Sequence, residues 1–240
     1  MEQKLLYIIE KIGELGLKIS LKQAEQFYQY YEILSEWNQF MNLTGITEFE
    51  SVVQKHFVDS LSIVYIKDME NVDNLIDIGT GAGFPGIPLK IAFPNLRITL
   101  LDSLNKRIRF LNEVIAKTKL CGIETIHGRA EDYAKSSEYR ESFDICVSRA
   151  VANLSTLSEY SLPYVKIGGQ FISYKSGEIA QELEEAKTAL FLLGGKMEEC
   201  KTFTLPDSNI YRSLIKIKKV NGCPKKYPRK SGLPSKEPLH

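Results

Sequence analysis

Cysteine and histidine are scarce in this chain. Four cysteines, Cys121, Cys146, Cys200 and Cys223, stand apart without a C-x-x-C pair, and only three histidines occur in 240 residues. This speaks against a disulfide framework and offers no zinc pattern, so no metal site is expected. Long apolar runs are missing too: no stretch approaches the ~20 residues that a membrane-spanning helix needs. The opening MEQKLLYIIEKIGE mixes charges through its apolar positions, which predicts no signal peptide, a cytoplasmic protein and no membrane partner. With 43% hydrophobic and 25% charged residues, the composition is that of a globular chain long enough to bury a full core.

A strong net charge is also lacking, but the total of +1 hides an uneven distribution. Nine of the 31 Lys and Arg, and one of the 30 Asp and Glu, fall between Arg212 and His240. That end therefore carries +8 and the remainder −7. A basic end on an acidic body points to a polyanionic partner; a solvated, disordered tail is the alternative.

What is present is organised around Asn74 to Gly86, NLIDIGTGAGFPG. Leu75, Ile76 and Ile78 form a short apolar strand, Gly79, Gly81 and Gly83 a turn, and Pro85 is expected at the first position of the helix that follows. Strand, glycine turn and helix open a nucleotide-type βαβ unit, and bare backbone lets a ligand lie directly against the turn. G-x-G-x-x-G fits only through Gly81, Gly83 and Gly86, two residues out of frame and with Pro85 inside it. A carboxylate at Asp77 suits the ammonium of S-adenosylmethionine better than a dinucleotide pyrophosphate. A tight turn with no ligand is the remaining reading.

Before this unit, residues 1–66 read as a helical extension. Leu5, Ile8, Ile9, Ile12 and Leu15 share a face before Gly16; Ser20 with Gln23 forms a capping-box pattern before the long run Leu21 to Phe40; and Thr47 with Glu50 repeats that pattern. The connection Trp37 to Thr44 either lines a cleft or packs as a hinge. His56 with Asp59 reads as a hydrogen bond on a helix surface.

From Asn74 onward, apolar runs alternate with helical segments, the pattern of an open parallel sheet. Asp102-Ser103 closes the second strand 25 residues after Asp77, about where an acid meets ribose hydroxyls, or else caps the basic helix that contains Lys106 and Arg107. Ala130 and Glu131, after the third strand, are candidates for holding an adenine or simply start a helix. Arg149 ends the fourth strand, where acceptors meet transferred groups, with a surface salt bridge as its alternative. No Asn or Asp followed by Pro-Pro and an aromatic appears, and Cys146 lies among apolar neighbours, which argues against an exocyclic-amine methylase and a thiolate-dependent pyrimidine methylase. A fifth strand over Gln170 to Tyr174 closes at Lys175. Ile179 to Leu192 reads as one long helix, and Met197 to Thr204 with Ser213 to Val220 as a closing antiparallel pair. The tail Pro224 to Pro238 reads as extended; its cations can track a phosphate backbone and Tyr227 can stack on a base.

Taken in order, these motifs resemble a known family, the RsmG group, also called glucose-inhibited division protein B, bacterial 16S rRNA guanine-N7 methyltransferases. The resemblance rests on Trp37-Asn38 with Met41 to Thr44, His56-Phe57 with Asp59 to Leu61, Asp77 to Gly86, Asp102-Ser103 before Lys106-Arg107, Arg129 to Glu131, Arg149-Ala150-Val151, and Lys226 to Pro234. It implies a class I, Rossmann-like methyltransferase fold, α/β with a mostly parallel seven-stranded sheet over 67–221, a helical extension over 1–66 and a basic proline-rich tail over 222–240. It also implies S-adenosylmethionine as cofactor, and as acceptor the N7 of a guanine in the 530 loop (position 527 in E. coli rRNA numbering) of 16S rRNA, in the small ribosomal subunit or its precursor. Donor contacts are implied at Gly79, Phe84, Ala130, Glu131 and Arg149, with Arg149 as the catalytic candidate, beside the residue-based candidates Asp77, Gly81, Gly83, Asp102 and Ser103. Lys106, Arg107, Lys175, Lys225, Lys226, Tyr227, Arg229 and Lys230 are the expected RNA contacts, and the protein is expected to be a monomer. A methyltransferase of another RNA, a protein or a small molecule, and a non-enzymatic RNA-binding module, are the alternatives.

Overall fold

The computed structural model of the chain describes residues 1–149, 152–177 and 179–239; Ala150 and Val151 of the Arg149-Ala150-Val151 run lie outside the described residues. Helix α1 (Glu2–Gly13) buries Leu5, Ile8 and Ile12, the face that the apolar spacing marks out. Helix α2 (Leu21–Met41) starts at the expected capping box, Ser20 accepting from the Gln23 N–H while the Gln23 side chain takes the Ser20 N–H, and stops at Asn42 in the left-handed region. The second expected box fails: α3 (Phe49–Val52) begins after Glu48 with no side-chain cap. Burial of Phe49 sets that start, and the preceding loop is held instead by the Asn38 amide, which bonds both the N–H and the carbonyl of Thr44 at 2.9 Å. Trp37 packs edge-on against Phe110, so this connection is a packed hinge. A π-helical stretch, Val53–Val58, then leads into α4 (Asp59–Leu61).

The α/β body follows: β1 (Asn74–Ile78), α5 (Gly86–Ala92), β2 (Arg97–Asp102), α6 (Asn105–Thr118), β3 (Ile123–His127), α7 (Ala130–Tyr133), β4 (Phe143–Arg149), α8 (Leu154–Ser161), β5 (Val165–Lys175), α9 (Ala180–Glu185), α10 (Lys187–Leu192), β6 (Gly195–Thr204) and β7 (Tyr211–Lys219). The seven strands lie in the order β3-β2-β1-β4-β5-β7-β6, with β7 antiparallel to both neighbours and the other pairings parallel. This is the mostly parallel, Rossmann-like seven-stranded sheet that the family resemblance implies. Its order reverses between β1 and β4, and ligands of such sheets bind at the carboxyl ends beside that switch point. The helix expected over Ile179 to Leu192 is broken at Ala186 into α9 and α10. Pro85 precedes α5 rather than starting it.

Two hydrophobic cores sandwich the sheet. On one face α1, α2 and α3 share a core with α5 and α6, centred on Phe27, Tyr30, Phe57 and Phe110. On the other, α8 and α10 cover Cys146, Phe171 and Ile215. Burial pushes the Cys146 thiol up, in keeping with a core residue.

The tail departs from the expected extended segment, and from its solvated alternative, by docking on the body. It crosses the second core and ends in a short turn of helix, α11 (Leu233–Lys236). Tyr227 is only 5% exposed, and the Arg140 guanidinium donates to the carbonyls of Cys223, Pro224 and Tyr227. Arg229 grips the buried Glu159 carboxylate with its own N–H at 2.7 Å and its Nη2 at 2.7 Å. Among the described residues no helix is long and apolar enough to cross a membrane.

Removing one side of that pair strands a buried charge. Arg229→Ala is expected to cost about 3–5 kcal/mol, and the double variant Arg229→Ala/Glu159→Gln to recover much of it, read by urea denaturation. An unchanged midpoint in Arg229→Ala would show that this pair does not hold the tail.

Candidate functional site

The glycine turn takes the shape its residues demand. Gly79, Gly81 and Gly83 all adopt positive φ, between 63° and 94°. Above Gly81 the space is open, with nothing nearer than the Gly79 oxygen at 3.9 Å from where a Cβ would sit. That is a cradle in which a ligand can touch main chain. Two side chains hold the turn from outside: the Tyr30 hydroxyl of α2 donates to the Ala82 carbonyl, and the Asp102 carboxylate accepts the Gly81 N–H at 2.9 Å. Asp102 also accepts the Leu104 N–H at 2.9 Å and a bond from Arg107 at 3.2 Å, so it ties β2 to the turn and to the start of α6 rather than capping the helix. Ser103 beside it is exposed.

Asp77 is fully buried at the end of β1. One carboxylate oxygen accepts the Gly86 N–H at 2.9 Å and the Thr80 hydroxyl at 2.6 Å; the other, Oδ1, has no hydrogen-bond partner. Burial, the largest influence, lifts its pKa to about 6 despite those donors. An orphaned carboxylate oxygen beside a glycine cradle fits a cationic ligand group such as an ammonium.

Arg149, at the carboxyl end of β4, lies 4.9 Å over the Phe84 ring. Its guanidinium pairs with Asp59 of α4 at 3.1 Å and reaches the Lys55 carbonyl and the His56 ring Nδ1 at 3.3 Å each. The other Asp59 oxygen takes Arg212 of β7 at 2.9 Å. The surface hydrogen bond expected between His56 and Asp59 is therefore absent: His56 points inward and stacks on Phe84 at 4.5 Å, tilted by 22°. Since the guanidinium can only donate, Nδ1 accepts and Nε2 carries the proton to Thr44 Oγ1 at 2.9 Å. Burial first, and the Arg149 charge second, depress the His56 pKa to about 3, so the ring stays neutral.

Lys55, His56, Asp59, Arg149 and Arg212 line a cleft of about 730 Å³ at the carboxyl ends of β4 and β5. Asn153, Lys175, Ser176 and Glu182 line it as well. A hollow of about 490 Å³ at the opposite strand ends, lined by Asn74, Arg97 and Glu124, is remote from the glycine turn. Arg212 and Tyr30 carry no local motif and escape sequence reasoning, and Asp59, which the sequence pairs with His56, is joined to Arg149 and Arg212 only by the fold.

Ala130 and Glu131 start α7 beside the same edge. The Glu131 carboxylate accepts the Gly232 N–H of the tail at 2.8 Å, and Ala130 offers its carbonyl to the buried Tyr164 hydroxyl at 2.6 Å. Of the expected RNA contacts, Lys106, Lys225, Lys226 and Lys230 are exposed. The structure corrects three others: the Tyr227 ring is buried, Arg229 is bound to Glu159, and Lys175 turns inward to Glu182 and the Ala152 carbonyl. Arg107 is partly engaged by Asp102. Among the described residues no group of His, Cys, Asp or Glu is arranged to hold a metal.

Comparison with solved structures supports the fold. The chain superposes on M. jannaschii TYW2 in complex with AdoMet with a TM-score of 0.55 over 70% of this chain and 77% of that one, at 16% identity. On a mutant of MtNAS in complex with S-adenosylmethionine the score is 0.54 over 90% of this chain and 78% of that one, at 14% identity. Sequence relatives are far nearer. The ribosomal RNA small subunit methyltransferase G of Lachnoclostridium phytofermentans is 58% identical over 231 residues, 96% of each chain. That of Alkaliphilus oremlandii is 52% identical over 96% of this chain and 98% of its own. Residues 23–211, from early in α2 to the start of β7, match the GidB family model, rRNA small subunit methyltransferase G, and with these identities along nearly the whole length the chain belongs to that family.

Proposed function

We propose that this protein transfers a methyl group from S-adenosylmethionine to N7 of a guanine in the 530 loop of 16S rRNA, position 527 in E. coli rRNA numbering. The observation that carries this is the shared position of Arg149, which joins the glycine cradle, through Phe84, to the 730 Å³ cleft next to it. A donor site and an acceptor site thus meet at one side chain.

The residues fit the donor. Gly81 provides open, bare backbone in a turn that Gly79 and Gly83 shape, Asp77 Oδ1 an unmatched negative atom for the ammonium, Phe84 an apolar face, and Asp102, Ser103, Ala130 and Glu131 the edge along which a nucleoside lies. When bound, the sulfonium supplies an activated methyl group. The cleft's side chains suit an acceptor that loses no proton. Guanine N7 attacks through an in-plane lone pair, so no general base is needed; beside Arg149 both Asp59 oxygens are held by arginines and both His56 nitrogens are engaged. The protein's contribution is alignment, worth up to about 7–11 kcal/mol for well-oriented reactants. Arg149, fixed by Asp59, orients donor and base. The base must be unstacked to enter. Lys106, Lys225, Lys226 and Lys230 remain the surface cations for phosphate contacts. The three parts of the chain, 1–66, 67–221 and 222–240, divide this work among buttress, catalytic body and docked strap. The protein acts as a cytoplasmic monomer on the small subunit or its precursor.

Incubating small subunits with methyl-labelled donor and mapping the product by mass spectrometry is expected to give one N7-methylguanine in the 530 loop; label in another RNA or in free metabolites would overturn the assignment. Arg149→Ala is expected to slow transfer about a hundredfold, and transfer at the wild-type rate with normal S-adenosylhomocysteine affinity would remove its role.

Asp77 gives a pH prediction. Its pKa is raised in the folded state, so the folded form binds the proton more tightly and the group's ionisation weakens folding as pH rises from about 4 to about 6. Asp77→Asn should therefore gain stability over wild type across that interval, level off above it by at most on the order of 3 kcal/mol, and bind S-adenosylmethionine more weakly. Thermal unfolding against pH, with calorimetric titration of the donor, checks both halves; a pH-independent difference would refute the burial argument.

A further inference from the structure

The β5 end of the cleft, next to Arg149, has features that the reaction as described does not use. Lys175 ends β5, and α9 begins five residues later, so that Glu182 comes back over the strand end. The Lys175 ammonium bonds the Ala152 carbonyl at 2.6 Å and Glu182 Oε1 at 2.5 Å, which fixes a carboxylate at the β5 end of the cleft. Among the described residues two acids line this cleft, Asp59 and Glu182. Asp59 is consumed by Arg149 and Arg212, each oxygen taken. Glu182 is held through Oε1 alone; among the described residues no donor engages its Oε2.

We propose that Glu182 reads the Watson–Crick edge of the acceptor base and so restricts this cleft to guanine; the inference rests on the guanine-N7 reading above. Geometry orients the base. Arg149 at β4 and Lys175 at β5 end adjacent strands and both line the cleft with Glu182, while the glycine cradle lies beyond Arg149 at β1, in sheet order β1-β4-β5. A purine that turns its N7 toward the donor presents its N1 and N2 positions away from it, toward β5. In guanine those positions are N–H donors, which a carboxylate accepts. Adenine offers an N1 lone pair there, and an unprotonated carboxylate repels it. A site built to receive two donors rejects an analogue lacking them more strongly than apolar packing can, because its acceptor is left unpaired.

The charge change points the same way. Methylation at N7 leaves a full positive charge on the purine, and its N1–H becomes more acidic. A carboxylate facing that N–H is better matched to the product-like transition state than to the neutral base. The cleft's cations do the reverse, and Asp59 on Arg149 and Arg212, with Glu182 on Lys175, offsets part of their charge.

The test uses small subunits reconstituted with either guanine or inosine at the methylated position; inosine keeps N1–H and lacks the N2 amine. Wild type is expected to lose about tenfold in kcat/KM on inosine. Glu182→Gln is expected to fall at least tenfold on guanine and to show little further loss on inosine, with S-adenosylhomocysteine affinity unchanged as evidence of an intact fold. Glu182→Gln retaining the wild-type guanine-to-inosine ratio would overturn the proposal and leave the methyltransferase reading standing. Absence of transfer by the wild type to guanine-containing subunits would instead overturn that reading, and this one with it.

Discussion

One carboxylate with two guanidiniums on it sets the geometry of this molecule. Asp59 comes from the helical extension, Arg149 from the middle of the sheet and Arg212 from the antiparallel strand near its far edge, and each arginine takes a different oxygen. Burying three charges is not in itself a gain in stability, because desolvation offsets much of the attraction. What it supplies is a unique arrangement: any slip of the helices along the sheet leaves at least one buried charge alone. The helical extension is thereby fixed to the strand ends where the chemistry occurs, and His56, stacked on Phe84, is fixed with it.

The site is also a place where local stability is given up. Asp77 keeps a carboxylate oxygen without a partner in a fully buried position, at a pKa well above that of an ordinary acid. Neighbouring backbone is held in left-handed geometry at Gly79, Gly81 and Gly83, and room for side chains runs out beyond Gly81: a Cβ on Gly83 would meet Ile87 at 2.6 Å, and one on Gly86 would run into Leu100. Strain and unpaired charge of this kind persist where a ligand relieves them.

Much of the fold was legible because its signals are short-range. The alternating apolar runs, the Ser20–Gln23 box, the glycine turn and the closing antiparallel pair are patterns over a few residues, and each is found where its spacing puts it. The misreadings share the opposite cause. Thr47 satisfies the letter of a capping box, but Phe49 is buried and starts the helix later. His56 and Asp59 are three residues apart, yet each is claimed by Arg149, about 90 residues away. Tyr227, Arg229 and Lys175 have the composition of an RNA-binding surface, and partners elsewhere in the chain, Arg140, Glu159 and Glu182 among them, take them out of it. Composition reports what a residue can do; only tertiary contacts decide whether it is already occupied.

The six-residue π-helical stretch Val53–Val58 bears directly on that central cluster. A π turn holds one residue more than an α turn, and an α-helix rotates by about 100° per residue. Everything after the stretch is therefore out of phase with everything before it, and the phase difference is what lets Phe57 and Val58 face the core while Asp59 faces the arginines. The length of this segment is quantised: a one-residue deletion would restore a regular helix and swing the carboxylate to a different side, whereas a conservative change of side chain at the same place would leave its heading intact.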